Sequence, residues 1–147
     1  MVLDCIFRST TCQVDSEFGF KLIDELSPDR SKVPSELIKI TCGHWQLNKW
    51  MENLYRNKGG KSECFSLINL KLSETDLLKL REDIQSWSLP KGTRYDFYLP
   101  ESEMLKVENI EQRRKLEAET YKEDMQIIDL CLKEIAEGKT VFYRCWW

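Results

Sequence analysis

The chain of 147 residues contains a single histidine, so any imidazole chemistry must run through His44. It stands in Cys42-Gly43-His44, which offers two of the three or four ligands a zinc site needs, with no second pair at matching spacing. No metal or other cofactor is assigned; a histidine at the start of a helix is the plainer reading. A Ser–His or Cys–His nucleophile pair would also have to use His44, with Cys42 or Cys64 as the candidate thiols. No G-x-S-x-G elbow is present. The adjacent acids Glu82-Asp83 and Glu123-Asp124 point away from each other on a helix, as solvated charges do. No catalytic residue is assigned, and the chain is read as a non-enzyme.

Three stretches carry binding chemistry instead. In Arg56-Asn57-Lys58-Gly59-Gly60-Lys61, glycines let consecutive amides converge into an anion nest, with Arg56, Lys58 and Lys61 around Gly59 and Gly60. The spacing is not that of a P-loop, and the plainer reading is a helix C-terminus whose basic side chains complement the dipole. The second stretch is acidic. Residues 101–137 hold eleven acids and six bases, whereas residues 1–100 hold fourteen of each. Glu117, Glu119, Glu123 and Asp124 form a candidate partner surface there, against the plainer reading of a solvated helix face. The basic Arg113-Arg114-Lys115 inside this region reads as a solvated turn of helix. Third, Tyr95, Phe97 and Tyr98 offer an aromatic strand that would pack in a core or dock a partner, with Tyr95 and Tyr98 as the exposed candidates.

The elements that must position these residues follow from periodicity and caps. Met1–Phe7 reads as a short strand, followed by a polar run from Arg8 to Glu17. Phe18–Leu26 fits a helix or a strand, Ser27-Pro28-Asp29 a turn, and Pro34–Ile38 stays ambiguous. Trp45, Leu47, Trp50, Met51, Leu54 and Tyr55 recur at steps of three and four, the mark of an amphipathic helix, which Gly59 and Gly60 end. Cys64–Leu70 reads as a strand. Ser73 and Asp76 open a helix whose Leu77, Leu80, Ile84 and Trp87 share a face and which Pro90 stops. Tyr95–Leu99 reads as a strand. Tyr121, Met125, Ile128, Leu132 and Ile135 define a helix of about 25 residues, from near Asn109 to Glu137, capped by Gly138. Thr140–Trp147 makes a terminal strand in which at least one of the last two tryptophans is expected to be packed. The expected fold is α+β. A small, mainly antiparallel sheet of about four strands packs against two or three helices in one domain spanning 1–147.

Bulk composition narrows the class further. The chain is 41% hydrophobic and 32% charged, a globular balance, with net charge −3. A field of that sign argues against direct nucleic-acid binding. The cysteines at 5, 12, 42, 64, 131 and 145 show no C-x-x-C pair, and no leader-like run opens the chain. Reduced, mostly buried thiols and a soluble protein of the bacterial cytoplasm are expected, with no membrane partner.

His44-Trp45-Gln46-Leu47-Asn48-Lys49-Trp50 resembles the W-R-K-x-N-x-I-H-x-W helix of a family of small tailed-phage accessory proteins, many of which carry the label phosphoglycerate kinase. Those proteins are far too small for that enzyme and lack its domains. The likeness runs through Leu70-Lys71-Leu72-Ser73, Leu89-Pro90 and Tyr95-Asp96-Phe97-Tyr98 to the strand from Val141 to Trp147, similar to a Y-x-S-x-W terminus. It covers residues 42–147, with Pro100 where the family has glycine, and brings no catalytic residue with it. It implies a phage-type accessory protein.

Three functions follow as expectations. The first is an interaction protein that binds a host or phage protein and blunts a host defence, its acidic face occupying a basic surface. The second is a module that takes a nucleotide or phosphate at Arg56–Lys61. The third is an enzyme of unrecognised type using His44 with Cys42 or Cys64. A homodimer through exposed aromatics is a further option.

Overall fold

Alternation builds the centre of the molecule. In this computed structural model, which describes residues 3–22, 33–90 and 107–147, β1 (Asp4–Thr10) turns Cys5, Phe7 and Ser9 to one side, all buried. β4 (Thr140–Trp146) turns Val141, Tyr143 and Cys145 to the same side, directly opposite them. Phe7 meets Tyr143 edge to ring with centroids 5.2 Å apart, a cross-strand aromatic pair. On the outer flanks lie β2 (Glu36–Cys42), beside β1, and β3 (Leu70–Leu72), beside β4. The order is β2-β1-β4-β3, and every neighbouring pair is antiparallel.

Three helices cover the inward face. α1 (Trp45–Asn57) buries Leu47, Trp50, Met51 and Tyr55; α2 (Glu74–Gln85) buries Leu77, Leu80 and Ile84. α3 (Val107–Ala136) adds Ile127, Ile128 and Cys131. These side chains form one apolar core with Cys5, Phe7, Leu70, Leu72, Val141, Tyr143 and Cys145. The Ser73 hydroxyl and the Asp76 carboxylate cap α2 reciprocally. Trp50 donates its indole N–H to Asp83 at 2.9 Å, tying α1 to α2, and Arg81 pairs with Asp129 between α2 and α3. On the other face, Phe20 meets Phe142 edge-on at 5.0 Å, and the Lys71 ammonium donates to the Val14 carbonyl. The α+β architecture, the antiparallel sheet and the long last helix followed by a terminal strand are as expected. Among the described residues no helix is long and apolar enough to cross a membrane.

The local departures have physical reasons. β1 lies at 4–10 rather than 1–7 because Ser9 faces inward and Arg8 outward, so the ladder with β4 continues through polar residues. β2 occupies the stretch left ambiguous around Pro34–Ile38, with a register shift opposite Phe7 and Arg8. The strand expected at 64–70 is mostly a loop. Leu67 sits at φ +64 and only Leu70–Leu72 pairs with β4, while Phe65 fills the core between Tyr55 and Tyr143. Phe18 and Leu22 form isolated bridges to Leu70 and Val33, so the described part of 18–26 is neither helix nor continuous strand. The strand expected at Tyr95–Leu99 lies outside the described residues, as do Tyr95 and Tyr98. Of the two terminal tryptophans, Trp147 packs on Trp45 with centroids 6.0 Å apart, and Trp146 is exposed.

Tyr143 is fully buried and donates its hydroxyl to the Asn48 side-chain oxygen at 2.8 Å. Tyr143→Phe leaves that oxygen buried without its donor and is expected to cost about 1–3 kcal/mol. Urea unfolding checks this, with the midpoint falling at an unchanged slope. The double variant Tyr143→Phe/Asn48→Leu should cost less than the two single changes added together.

Candidate functional site

His44 owes its position to the entry of α1. Gly43, at φ +73, donates its amide to the Leu3 carbonyl and turns the chain off the sheet. His44 is then the N-cap: its Nδ1 accepts the Leu47 amide at 3.3 Å and its carbonyl accepts the Asn48 amide. Because Nδ1 is an acceptor, the ring proton is on Nε2, and Nε2 donates to Asp124 Oδ2 at 2.7 Å. A doubly protonated ring would set two N–H groups against each other at Leu47. Both ring nitrogens are thereby engaged.

Asp124 is the unusual member of the pair. Only 4% exposed, it meets the imidazole at Oδ2, and its Oδ1 is buried with no hydrogen-bond partner among the described residues. No Lys or Arg pairs with it there. A buried carboxylate is ordinarily paired with a cation or fully hydrogen-bonded. Asp124 lines a cavity of about 130 Å³ together with His44, Glu117, Thr120, Tyr121 and Trp87, closed on its apolar side by Ile84 and Leu89. Glu117, Thr120, Tyr121 and Asp124 are four residues of one helical face, the last three standing three, four and seven positions after Glu117.

Trp87 enters from the end of α2. Each of the three helices ends with the same pair of hydrogen bonds, in which two successive amides past the last turn reach back to carbonyls inside it. In α1 these run from Gly59 to Arg56 and from Gly60 to Tyr55, and in α3 from Gly138 to Ile135 and from Lys139 to Glu134. In α2 they run from Trp87 to Ile84 and from Ser88 to Asp83. The first amide of each pair belongs to a residue in left-handed conformation: Gly59 at φ +101, Gly138 at φ +86, and Trp87 at φ +56. Glycine enters that region freely, whereas a bulky side chain costs about 1–2 kcal/mol. The indole held there is 70% exposed and stacks on Tyr121 at 5.7 Å, at the rim of the cavity.

The acidic face of α3 is divided by the fold. Glu117 and Asp124 line the cavity, Glu119 points to solvent, and Glu123 lies close enough to β2 to act on Cys42. The Arg56–Lys61 segment is a helix terminus. The Gly59 and Gly60 amides point back into α1, and the Lys58 ammonium is taken up by Glu17 at 2.9 Å, Asp76 at 2.8 Å and the Lys71 carbonyl at 2.6 Å. Arg56 lies over the Tyr55 ring, and Gly60 is required because a Cβ there would meet that ring at 2.2 Å. No anion nest is left, and Lys61 stands apart on the surface. As a nucleophile, Cys42 is poorly placed: its thiol donates to Asp4, which raises its pKa, and both nitrogens of His44 have other partners. Burial pushes the Cys5 and Cys131 thiols up to about 12. Cys64 is exposed. Among the described residues no three His, Cys, Asp or Glu side chains could hold a metal ion.

The sequence singles out His44, Glu117 and Asp124, each for a separate reason, but does not bring them together or point to the rest of the cavity. His44 and Asp124 are 80 residues apart, and Trp87 and Tyr121 were assigned to apolar helix faces. The available signal was Trp87 itself, a bulky residue just past the last turn of α2 where glycine serves the other two helices.

If Asp124 is retained for binding, removing its charge should not harm the fold. Asp124→Asn keeps an acceptor for His44 Nε2 and removes an uncompensated buried charge. The expected unfolding free energy is within about 1 kcal/mol of the parent or above it. His44→Ala removes both the cap and the donor and is expected to cost about 3–5 kcal/mol. Chemical denaturation of both variants decides: comparable losses would make the Asp124 charge structural.

No family model matches the chain, and no significant match is found to a curated protein or a solved structure. Function is accordingly read from the geometry of the cavity.

Proposed function

We propose that the protein acts by binding another protein, and that the cavity between the α1 N-terminus, the α2 C-terminus and the middle of α3 is its contact site. The observation that carries this is Trp87, 70% exposed and stacked on Tyr121 at the rim of a cavity lined by His44, Thr120 and Asp124. Size favours a macromolecular partner. Sites for whole small molecules run to about 300–1,000 Å³, and 130 Å³ holds one protruding side chain. An exposed indole beside it is the kind of side chain that anchors protein contacts. The reading is non-catalytic because His44 has no ring nitrogen to spare as a base.

The likeness to small tailed-phage proteins supports a more specific role, an accessory factor that engages a host or phage protein and antagonises host defence. The acid-rich stretch from 101 to 137 suits a basic surface on that partner. Residence in the bacterial cytoplasm belongs to the same proposal.

Trp87→Gly separates binding from folding, because it supplies the residue that the other two helices use at this position. Its stability is expected to stay within about 1 kcal/mol of the parent, the relief of backbone strain offsetting the lost ring contact. In parallel affinity capture from bacterial lysate, the parent should enrich a protein that Trp87→Gly does not. Equal capture by both, or capture by neither, would refute the cavity as the contact site.

A further inference from the structure

Away from the cavity, on the sheet face that points away from the helices, an arginine is left without a partner. Alternation in β4 turns Val141, Tyr143 and Cys145 towards the helices, so Arg144 stands on the opposite face, across from Ile6 of β1. It is half-buried in a central strand, yet its guanidinium makes no ion pair or hydrogen bond among the described residues. A charge withdrawn from water to that degree ordinarily has a partner. Arg8, diagonal to it across the ladder, donates to Ser35 and brings a second guanidinium to the same face. Asp4, diagonal on the other side, accepts the Cys42 thiol and forms no ion pair with Arg144.

Arg144 lines an open pocket of about 410 Å³, within the range of sites that take whole small molecules. The rest of the lining is apolar at Phe20, Leu22, Leu67 and Ile68 and cationic at Lys21, with no Asp or Glu. Lys21 also has no acidic partner among the described residues. The wall is built rather than loose. The Gly19 amide donates to the Asn69 carbonyl at 2.9 Å, the Asn69 side-chain amide donates to the Phe20 carbonyl at 2.6 Å, and Phe20 rests edge-on against Phe142. Leu67 stands in left-handed backbone at φ +64 with its side chain 52% exposed, a strained position that buries little in return. Strain of that kind gathers at ligand sites. Two unpaired cations match a dianion, and a phosphate monoester carries about −1.5 to −2 at neutral pH. Guanidinium addresses two phosphate oxygens with parallel N–H groups, and lysine adds a point charge. A bare phosphate would leave the apolar wall in water. We therefore infer that this pocket binds a small phosphate monoester carried on an apolar body.

The test uses the full chain, ¹⁵N-labelled, titrated with phenyl phosphate, phenylacetate, benzyl alcohol and inorganic phosphate. The backbone amides of residues 19–21 and 67–69 are the reporters. Phenyl phosphate should shift them saturably in the millimolar range. Phenylacetate, with one charge, should bind about threefold more weakly. Benzyl alcohol lacks the anion and inorganic phosphate lacks the apolar body, so each should bind about tenfold more weakly or worse. Arg144→Gln keeps a polar side chain on this face and should cost about tenfold in affinity for phenyl phosphate. Lys21→Gln should cost about threefold, and Trp87→Gly, at the separate cavity, should cost nothing. Phenylacetate binding as tightly as phenyl phosphate would overturn the phosphate. Equal binding of benzyl alcohol would overturn the anion, and equal binding of inorganic phosphate would overturn the apolar body. Shifts that do not saturate, or an affinity for phenyl phosphate unchanged in both Arg144→Gln and Lys21→Gln, would overturn the site itself.

Discussion

The hydrogen bond from His44 Nε2 to Asp124 Oδ2 fixes how the helical layer meets itself. One end is the cap of α1, which follows β2 through the tight turn at Gly43. The other is the middle of α3, which leads into β4. The imidazole satisfies an orphan amide at Leu47 with one nitrogen and a buried carboxylate with the other, so neither residue can shift without stranding a buried polar group. Holding Asp124 in that orientation also sets which of its oxygens is left over. Glu117, Thr120 and Tyr121, which precede Asp124 on the same helical face, line the cavity with it.

Two local rules of stable folds are broken in this structure, and both breaks border the same cavity. A tryptophan occupies the left-handed position that glycine occupies at the ends of α1 and α3. A buried carboxylate lacks both a cation and a second donor among the described residues. Either alone has a plain explanation: an aromatic contact with Tyr121 for the first, helix capping through His44 for the second. Those explanations are independent of each other and do not account for the shared location. The proposed contact site would account for it, since strain and unpaired groups that persist at one place are characteristic of functional surfaces.

How much of this was legible in the sequence follows from how local each interaction is. The capping box at Ser73 and Asp76, the stripe from Trp45 to Tyr55 and the glycine ends at Gly59 and Gly138 are written within a few residues, and the fold class followed from them. β2 was not legible, because Glu36-Leu37-Ile38-Lys39-Ile40 has no clean alternation and a register shift breaks its pairing. From Arg56 to Lys61 the helix terminus was legible, and the phosphate alternative arose for the opposite reason. Its basic residues are local, but the carboxylates that occupy Lys58 are 41 and 18 positions away, at Glu17 and Asp76. The His44–Asp124 pair lay beyond reach on the same ground. Asp124 was legible as part of an acidic face, yet nothing nearby distinguished it from Glu123, which the helix turns towards Cys42.

The unpaired charge at Asp124 also gives the site a thermodynamic character that a neutral pocket would lack. In the empty protein the His44 ring meets only one of the two Asp124 oxygens, and Oδ1 stays buried without a hydrogen-bond partner among the described residues. On the proposed reading, an occupant bound only by the folded protein would stabilise it, so that its binding energy would reappear as folding stability. Stability and occupancy are therefore coupled through a single oxygen atom. A substitution that discharges Asp124 stabilises the empty protein and weakens the filled one, which reverses the order of the two variants as ligand concentration rises. A structural aspartate buried for capping alone would keep one order at every concentration. The direction of that crossing, more than the depth of the cavity, distinguishes a binding site from a packing imperfection.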